Sequence, residues 1–341
     1  MAKGIRRSVK TLAGIICVLA LGACASQAHL TTRHLLEGND AAVRADYSSA
    51  VTHYEAALKR SPDSGPARRN LGIVLVKVGQ YERARKQLKE ILPEYREDVE
   101  VLYFLGEASR GVDAFQEAAN YYEQAKRLAP GDIRIVKALA WTWSKMRLYD
   151  KSLAASEGLL RKYPGDLQAK LIVSNNYNKL GLYAKTVEVL APVEKTGFKV
   201  FGRDLSSAES ERALLISTLA EAHFGLNNCD KATALYDEVL KTRPFLGTAL
   251  VGSARCDLAK GDNPKAVSKL ERAIRSSPNA PEPYYLLGQV YGATDSNRST
   301  FYYRRFLLLT QNNRDYLKEI QATRTALGET ERRSNSTING K

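Results

Sequence analysis

The stretch Ala118–Pro130 recurs along the chain at a fixed interval. Ala118, Tyr122 and Ala125 fall on one face of a helix, and Pro130 ends it for want of an N–H. Ala50, Tyr54, Ala57 and Pro62 spell the same phrase, as do Ala232, Tyr236 and Pro244, and Ala266, Leu270, Ala273 and Pro278. The step from Pro130 to Pro164 is 34, that from Pro244 to Pro278 is again 34, and that from Pro62 to Pro130 is twice as long. A unit this short holds two helices and cannot bury an apolar face alone, so neighbours must stack. That constraint overrides the two or three separate domains that 341 residues would otherwise suggest.

The period and residue set resemble the tetratricopeptide repeat. The resemblance implies an all-α, right-handed superhelical solenoid of about eight helix pairs plus a C-terminal capping helix. Repeats 1–5 are expected over 31–196, the first degenerate, with His34 where a larger aromatic is usual. Leu71-Gly72 with Ala84, Leu105-Gly106 with Ala118, and Leu139-Ala140 with Ser152 each set a small residue of the first helix against one of the second. The step from Pro164 to Pro244 exceeds two periods by 12, and the pattern fades after Leu190. The excess is assigned to an insertion at 197–212, a contact site or a solvated loop, with Ser206-Ser207-Ala208-Glu209 as a capping box restarting a helix near Ser207. Repeats 6–8 follow over 213–310, a capping helix over 311–327, and a polar tail, 328–341, with no apolar periodicity and expected to be disordered.

Residues 1–23 have the parts of an export signal: Lys3, Arg6, Arg7 and Lys10, the apolar run Leu12–Leu21, then small residues. The run is half the roughly 20 residues a spanning helix needs. Leu21-Gly22-Ala23-Cys24 resembles the lipobox of bacterial lipoproteins, which implies cleavage before Cys24 and acylation of it. Residues 24–30 would be a short tether, with no aspartate beside the cysteine, which by the same resemblance implies the periplasmic face of the outer membrane. Loss of the signal's four basic residues lowers the net charge from +14 to +10. Cys229 and Cys256 then remain; an oxidising compartment permits a disulfide between them, and two separate buried thiols fit the sequence equally.

No chemistry-bearing motif stands out. His29, His34, His53 and His223 show no metal-ligand spacing, there is no Cys-x-x-Cys, and neither a phosphate loop nor a nucleophile elbow occurs. No metal, no cofactor and no catalysis are therefore expected. The repeat resemblance puts partner contacts at the second, fifth, ninth and twelfth places of each first helix. On this chain those are Arg69, Ile73, Tyr103, Glu107, Arg110, Arg134, Lys137, Trp141, Leu171, Asn175 and Asn178. Trp141, beside Arg134 and Lys137, suits an extended peptide or acidic tail if it faces the groove; packing against the adjacent helix fits equally. The chaperone-binding subfamily's Lys-then-Asn clamp is not reproduced, since Trp141 follows Lys137 and Ile73 follows Arg69. Residues 133–166 carry seven basic and three acidic side chains, net +4, whereas 99–132 carry three and six, net −3. Alternating modules suit a protein partner or plain solvated faces rather than a nucleic-acid stripe.

The whole resembles tetratricopeptide lipoproteins of the Gram-negative envelope, and among them the pilus-assembly lipoproteins (TadD-like and PilF-like). The resemblance implies a non-catalytic scaffold, lipid-anchored to the outer membrane, that binds a periplasmic or outer-membrane protein and helps assemble or localise a pilus or secretin. An adaptor recruiting peptidoglycan enzymes is the alternative, and an enzyme with an unrecognised site the third. Replacing Cys24 with Ser should move the protein from the membrane to the soluble periplasmic fraction. Unchanged fractionation would refute the lipid anchor.

Overall fold

The computed structural model describes residues 29–197, 205–311, 313 and 316–338, and for 205–207 and 329–338 the backbone course alone. The export signal and the lipobox cysteine lie outside these residues. Seventeen helices occur among the described residues, and the chain divides into two compact units, one ending at Ile172 and the other starting at Val173.

The first unit begins with α1 (residues 29–43) and α2 (Tyr47–Arg60), followed by α3 (Gly65–Lys77) and α4 (Tyr81–Ile91). Next come α5 (Val99–Gly111) and α6 (Phe115–Leu128), then α7 (Ile133–Lys145) and α8 (Tyr149–Lys162). Helix α9 (Leu167–Lys179) spans the division. The second unit continues with α10 (Tyr183–Lys195), α11 (Leu205–Gly225), α12 (Cys229–Thr242), α13 (Gly247–Ala259) and α14 (Asn263–Ser276). It ends with α15 (Glu282–Tyr291), α16 (Ser296–Leu309) and α17 (Leu317–Ile338).

Three local devices repeat with the period. Ser64, Asp98 and Asp132 cap α3, α5 and α7, each side chain accepting a backbone N–H of the first turn. The turn inside each pair holds one residue at positive φ: Ala45, Gly79, Asp113, Arg147 and Gly181, each 34 after the last. Asn227 and Gly261 continue the series after a step of 46, which localises the excess of 12 between Gly181 and Asn227. The third device is the close approach of the two helices. Ala50, Ala84, Ala118, Ser152, Thr186, Ala232 and Ala266 are buried to 0%. Where this residue carries a hydroxyl, it donates to a carbonyl of the facing helix: Ser152 to Ala140 at 2.7 Å, Thr186 to Ser174 at 3.0 Å, and Ser299 to Gly288 at 2.8 Å.

Opposite the small residue, a glycine admits a ring. A Cβ on Gly38 would lie 2.6 Å from Tyr54 Cε1, and one on Gly106 would overlap the ring of Tyr122. Both tyrosines are buried, and each hydroxyl donates to the residue after that glycine: Tyr54 to Asn39 at 2.8 Å, Tyr122 to Glu107 at 2.5 Å. These contacts join into apolar clusters such as that of Leu102, Ala118, Tyr122, Ala125, Ile135 and Leu139.

Several boundaries differ from those expected. Helix α10 runs through Pro192 to Lys195, burying Leu190 and Val193 beyond the point where the sequence pattern fades. Much of the assigned insertion is helix: α11 starts at Leu205, earlier than Ser207, and at 21 residues is eight longer than the 13-residue α5. Residues 29 and 30, assigned to the tether, belong to α1. Helix α17 starts at Leu317 rather than 311 and passes Gly328 to end at Ile338, so the tail expected to be disordered is helical that far. Lack of apolar periodicity does not stop a helix already nucleated, because each further residue adds a bond.

Gly106→Ala would force a methyl into the buried Tyr122 ring. Overpacking costs about 1–3 kcal/mol and outweighs the gain of about 1 kcal/mol from helix propensity. Thermal unfolding should show a lower midpoint for Gly106→Ala. Gly131→Ala, where a Cβ meets nothing within 4 Å, should leave it unchanged.

Candidate functional site

In the first unit, the face formed by α3, α5 and α7 collects the expected partner-contact residues. Most of its charges are already engaged. Arg69 makes a two-pronged bond to Asp98, Nε to Oδ2 at 2.8 Å and a terminal nitrogen to Oδ1 at 3.3 Å. Two periods on, Lys137 bonds Asp166 at 2.9 Å. Asp98 and Asp166 also accept the N–H of Val101 and Ala169, so each carboxylate ties one first helix to the start of the next. Those bonds hold Asp98 below the usual carboxylate range, although its burial acts in the opposite direction.

Ile73 is half-buried against the Leu88, Phe104 and Leu105 cluster. Tyr103 packs edge-on to Phe104, and burial pushes its phenol up to about 12. The Arg134 guanidinium lies 5.0 Å from the Tyr103 ring and bonds Glu100 at 2.6 Å and Asp132 at 2.7 Å. Glu107 takes the Tyr122 hydroxyl and, through Oε2, Arg110 at 2.5 Å. Burial works against the Arg110 charge, but the Glu107 bond outweighs it and holds its pKa above the ordinary arginine value.

Trp141 is half-buried, with the Arg110 guanidinium 5.0 Å from its ring and Lys145 Nζ at 5.1 Å. Phe115 meets it edge-on with centroids 6.0 Å apart. The cations beside Trp141 are therefore Arg110 and Lys145, not Arg134 and Lys137 as the sequence suggested. Glu100 and Asp132 of the preceding repeat engage Arg134, and Asp166 engages Lys137. Among the described residues no carboxylate pairs with exposed Lys145. Trp141 thus packs on the adjacent helix, one edge resting on Phe115, while two cations flank the ring.

Leu171 is half-buried in α9. In the second unit, Asn175 is exposed and accepts from the Thr218 hydroxyl at 3.2 Å. Asn178 donates to the Thr218 carbonyl at 2.8 Å and accepts from Thr186 at 2.7 Å. Asn178 thus links α9, α10 and α11 rather than standing free for a partner.

Sequence reasoning missed a cleft in this unit. It has a volume of 460 Å³ and is lined by Glu221, Leu246, Val251, Arg255, Glu282 and Tyr316 among others. Arg255 bonds both Glu221 oxygens at 3.0 and 3.1 Å, stacks on Phe224 at 4.3 Å, and reaches Glu282 only at 4.0 Å. Tyr236 donates to Glu221 at 3.1 Å. Burial pushes the Glu282 carboxyl above its ordinary value of 4.5; Arg255 opposes this, and the Glu221 charge adds to it. Of the signal for this cleft, only the one-period interval between Glu221 and Arg255 was visible in the sequence.

Also unforeseen is the aromatic series Tyr47, Tyr81, Phe115, Tyr149 and Tyr183, each the first residue of a second helix and each 34 apart. Tyr81 packs on Gly111, and Tyr183 on Gly225. Cys229 occupies the corresponding place in α12. Cys229 and Cys256 are free thiols; burial pushes the Cys256 thiol up to about 12, and the neighbouring Cys229 adds to the rise. A thiol held so high is a weak nucleophile. Finally, where no metal-ligand spacing was found, the structure gathers His34, Glu37 and His53 at one point between α1 and α2.

A family model described as Tetratricopeptide repeat matches residues 44–107, and a second, TPR repeat, matches 257–295. The chain carries tetratricopeptide repeats at both places. Its fold is an all-α tetratricopeptide solenoid of roughly eight helix pairs with an extra helix, and proteins of this kind are generally non-catalytic scaffolds that bind protein partners. No curated protein matches it in sequence. A tetratricopeptide repeat protein from Parabacteroides merdae ATCC 43184 superposes with a TM-score of 0.62 at 15% identity, covering 77% of this chain and 99% of that one. The human IFIT1 dimer with PPP-AAAA gives 0.60 at 15% identity, over 84% and 72% of the two chains. The APC/C hetero-tetramer Cut9-Hcn1 gives 0.58 at 14%, over 86% and 55%. At these identities the likeness is one of fold.

The raised Glu282 carboxyl gives a pH test. In the folded state it holds its proton more tightly than in the unfolded chain, so ionisation withdraws stability as pH rises from about 4.5 upward. Glu282→Gln should therefore raise the unfolding midpoint at pH 7, modestly because 43% of the side chain is exposed. The gap from wild type should close below about pH 4, as thermal melts across pH would record.

Proposed function

We propose that this chain is a scaffold, lipid-anchored through Cys24 at the periplasmic face of the outer membrane. There it holds a partner protein on its first-helix faces and helps assemble or localise an envelope machine such as a pilus or secretin. The observation carrying the binding role is Trp141, a half-buried ring flanked by Arg110 and Lys145, with Lys145 lacking a carboxylate partner among the described residues. An extended segment or helix bearing an apolar anchor and an acidic side chain matches that surface, since aromatic and arginine side chains at the centre of an interface carry most of its energy. The export signal and Leu21-Gly22-Ala23-Cys24 support the location. Among the described residues, no helix is long and apolar enough to cross a membrane.

Affinity capture from envelope extracts tests this. Wild-type protein should retain secretin or pilus subunits, and Trp141→Ala with Lys145→Ala should retain at least tenfold less while keeping its helical signal. Equal retention by the variant would exclude the Trp141 face. Recovery of murein hydrolases or synthases instead would replace the pilus assignment with the peptidoglycan-adaptor reading.

A further inference from the structure

His34 and Glu37 stand one turn apart on α1, at places where the third repeat fully buries two leucines, Leu102 and Leu105. A terminal repeat lacks a neighbour on one side and needs a polar outer face. That requirement accounts for polar side chains but not for their convergence. Glu37 Oε2 lies 3.4 Å from His34 Nδ1 and 3.2 Å from Nδ1 of His53, which arrives from α2. One ligand atom from each residue falls within 4.8 Å of the other two.

These separations match a shared metal ion. With bonds of about 2.0–2.1 Å, two donors on a tetrahedral centre stand about 3.3 Å apart. The donor chemistry fits as well. His34 Nδ1 is buried and makes no hydrogen bond, so an imidazole nitrogen is held from water without a partner. Arg33 Nε donates to the other Glu37 oxygen, Oε1, at 2.8 Å. The carboxylate is thus oriented by an outer partner, as ligating carboxylates commonly are. Glu37 and His53 side chains each keep 33% of their exposure, leaving an entry path and room for a fourth ligand.

We propose that His34, Glu37 and His53 form a site for a divalent transition-metal ion of the zinc class. Two imidazoles and one carboxylate with an open position are donors such an ion favours over calcium or magnesium, which prefer all-oxygen sets. The ion ties α1 to α2 in the first helix pair of the described residues, and its fourth position is open to water or to a side chain of a partner. This assignment stands apart from the Trp141 surface.

Zinc titration of the full, untagged chain, stripped beforehand with a chelator, tests the site. Wild-type protein should bind one Zn²⁺ tightly and melt at a higher temperature with it. Since losing an outer-shell partner alone costs about 10–100-fold in affinity, His53→Ala and the isosteric Glu37→Gln should each weaken binding at least tenfold and abolish the melting shift. Cys229→Ser, which removes the competing thiol, should retain both. Circular dichroism confirms that each variant is folded, and Glu37→Gln, which keeps volume and shape, guards against a misfolded His53→Ala. Zinc affinity unchanged in both site variants, or lost with Cys229→Ser instead, would overturn the assignment.

Discussion

Four helix pairs close because one position lacks a Cβ where a ring or branched side chain must enter. Gly38 and Gly106 admit Tyr54 and Tyr122, Gly72 admits Leu88, and Gly288 admits Tyr303. Closure to that distance buries the tyrosine hydroxyl, which then needs an acceptor, because an unpaired buried hydroxyl costs about 1–3 kcal/mol. The residue after the glycine supplies it: Asn39 in the first repeat, Glu107 in the third. Packing thus dictates chemistry one residue away. Glu107, which position alone marks as a partner-contact residue, is committed to Tyr122 and Arg110.

The same economy governs the other charges of the first-helix face. Arg69 with Asp98 and Lys137 with Asp166 are one bond repeated two periods apart, and each aspartate also caps the helix it precedes. Partly exposed pairs of this kind contribute about 0–1 kcal/mol apiece. Their larger effect is geometric, since they set how one first helix meets the next. The charges left over are those the ladder has no place for. Lys145 beside Trp141 and Glu282 at the rim of Arg255's reach are two of them.

The recurring phrase showed the helix pairs, the small-residue contacts and the excess in the middle of the chain, because each depends on residues within one or two turns of one another. What it hid depends on registration between helices. The aromatic series at 47, 81, 115, 149 and 183 keeps the same period but lies outside the phrase, at the first position of the second helix, where it reaches into the next repeat. Position along α7 put Arg134 and Lys137 near Trp141, yet their carboxylates, Glu100 and Asp166, lie outside α7 and engage them. The sequence interval between Glu37 and His53 fits no ligand motif and has no meaning until α1 and α2 are packed.

The two ends of the array meet one problem in different ways. A stacked repeat buries both faces of its helices, and a terminal one leaves a face uncovered. At the C-terminal end the answer is an added helix. Tyr285 and Phe306 make a ring contact at 5.2 Å, and Tyr316, just ahead of α17, closes on Phe306 edge-to-face at 5.7 Å. At the N-terminal end the answer is substitution: Ala41 and Tyr54 keep the inner contact, while His34 and Glu37 stand where the third repeat has Leu102 and Leu105. An added helix leaves few demands on sequence beyond apolar contact, which is why α17 can run on to Ile338 without an apolar stripe. Substitution is more exacting, because every buried polar atom it introduces must find a partner, and His34 Nδ1 has no hydrogen-bond partner within the protein.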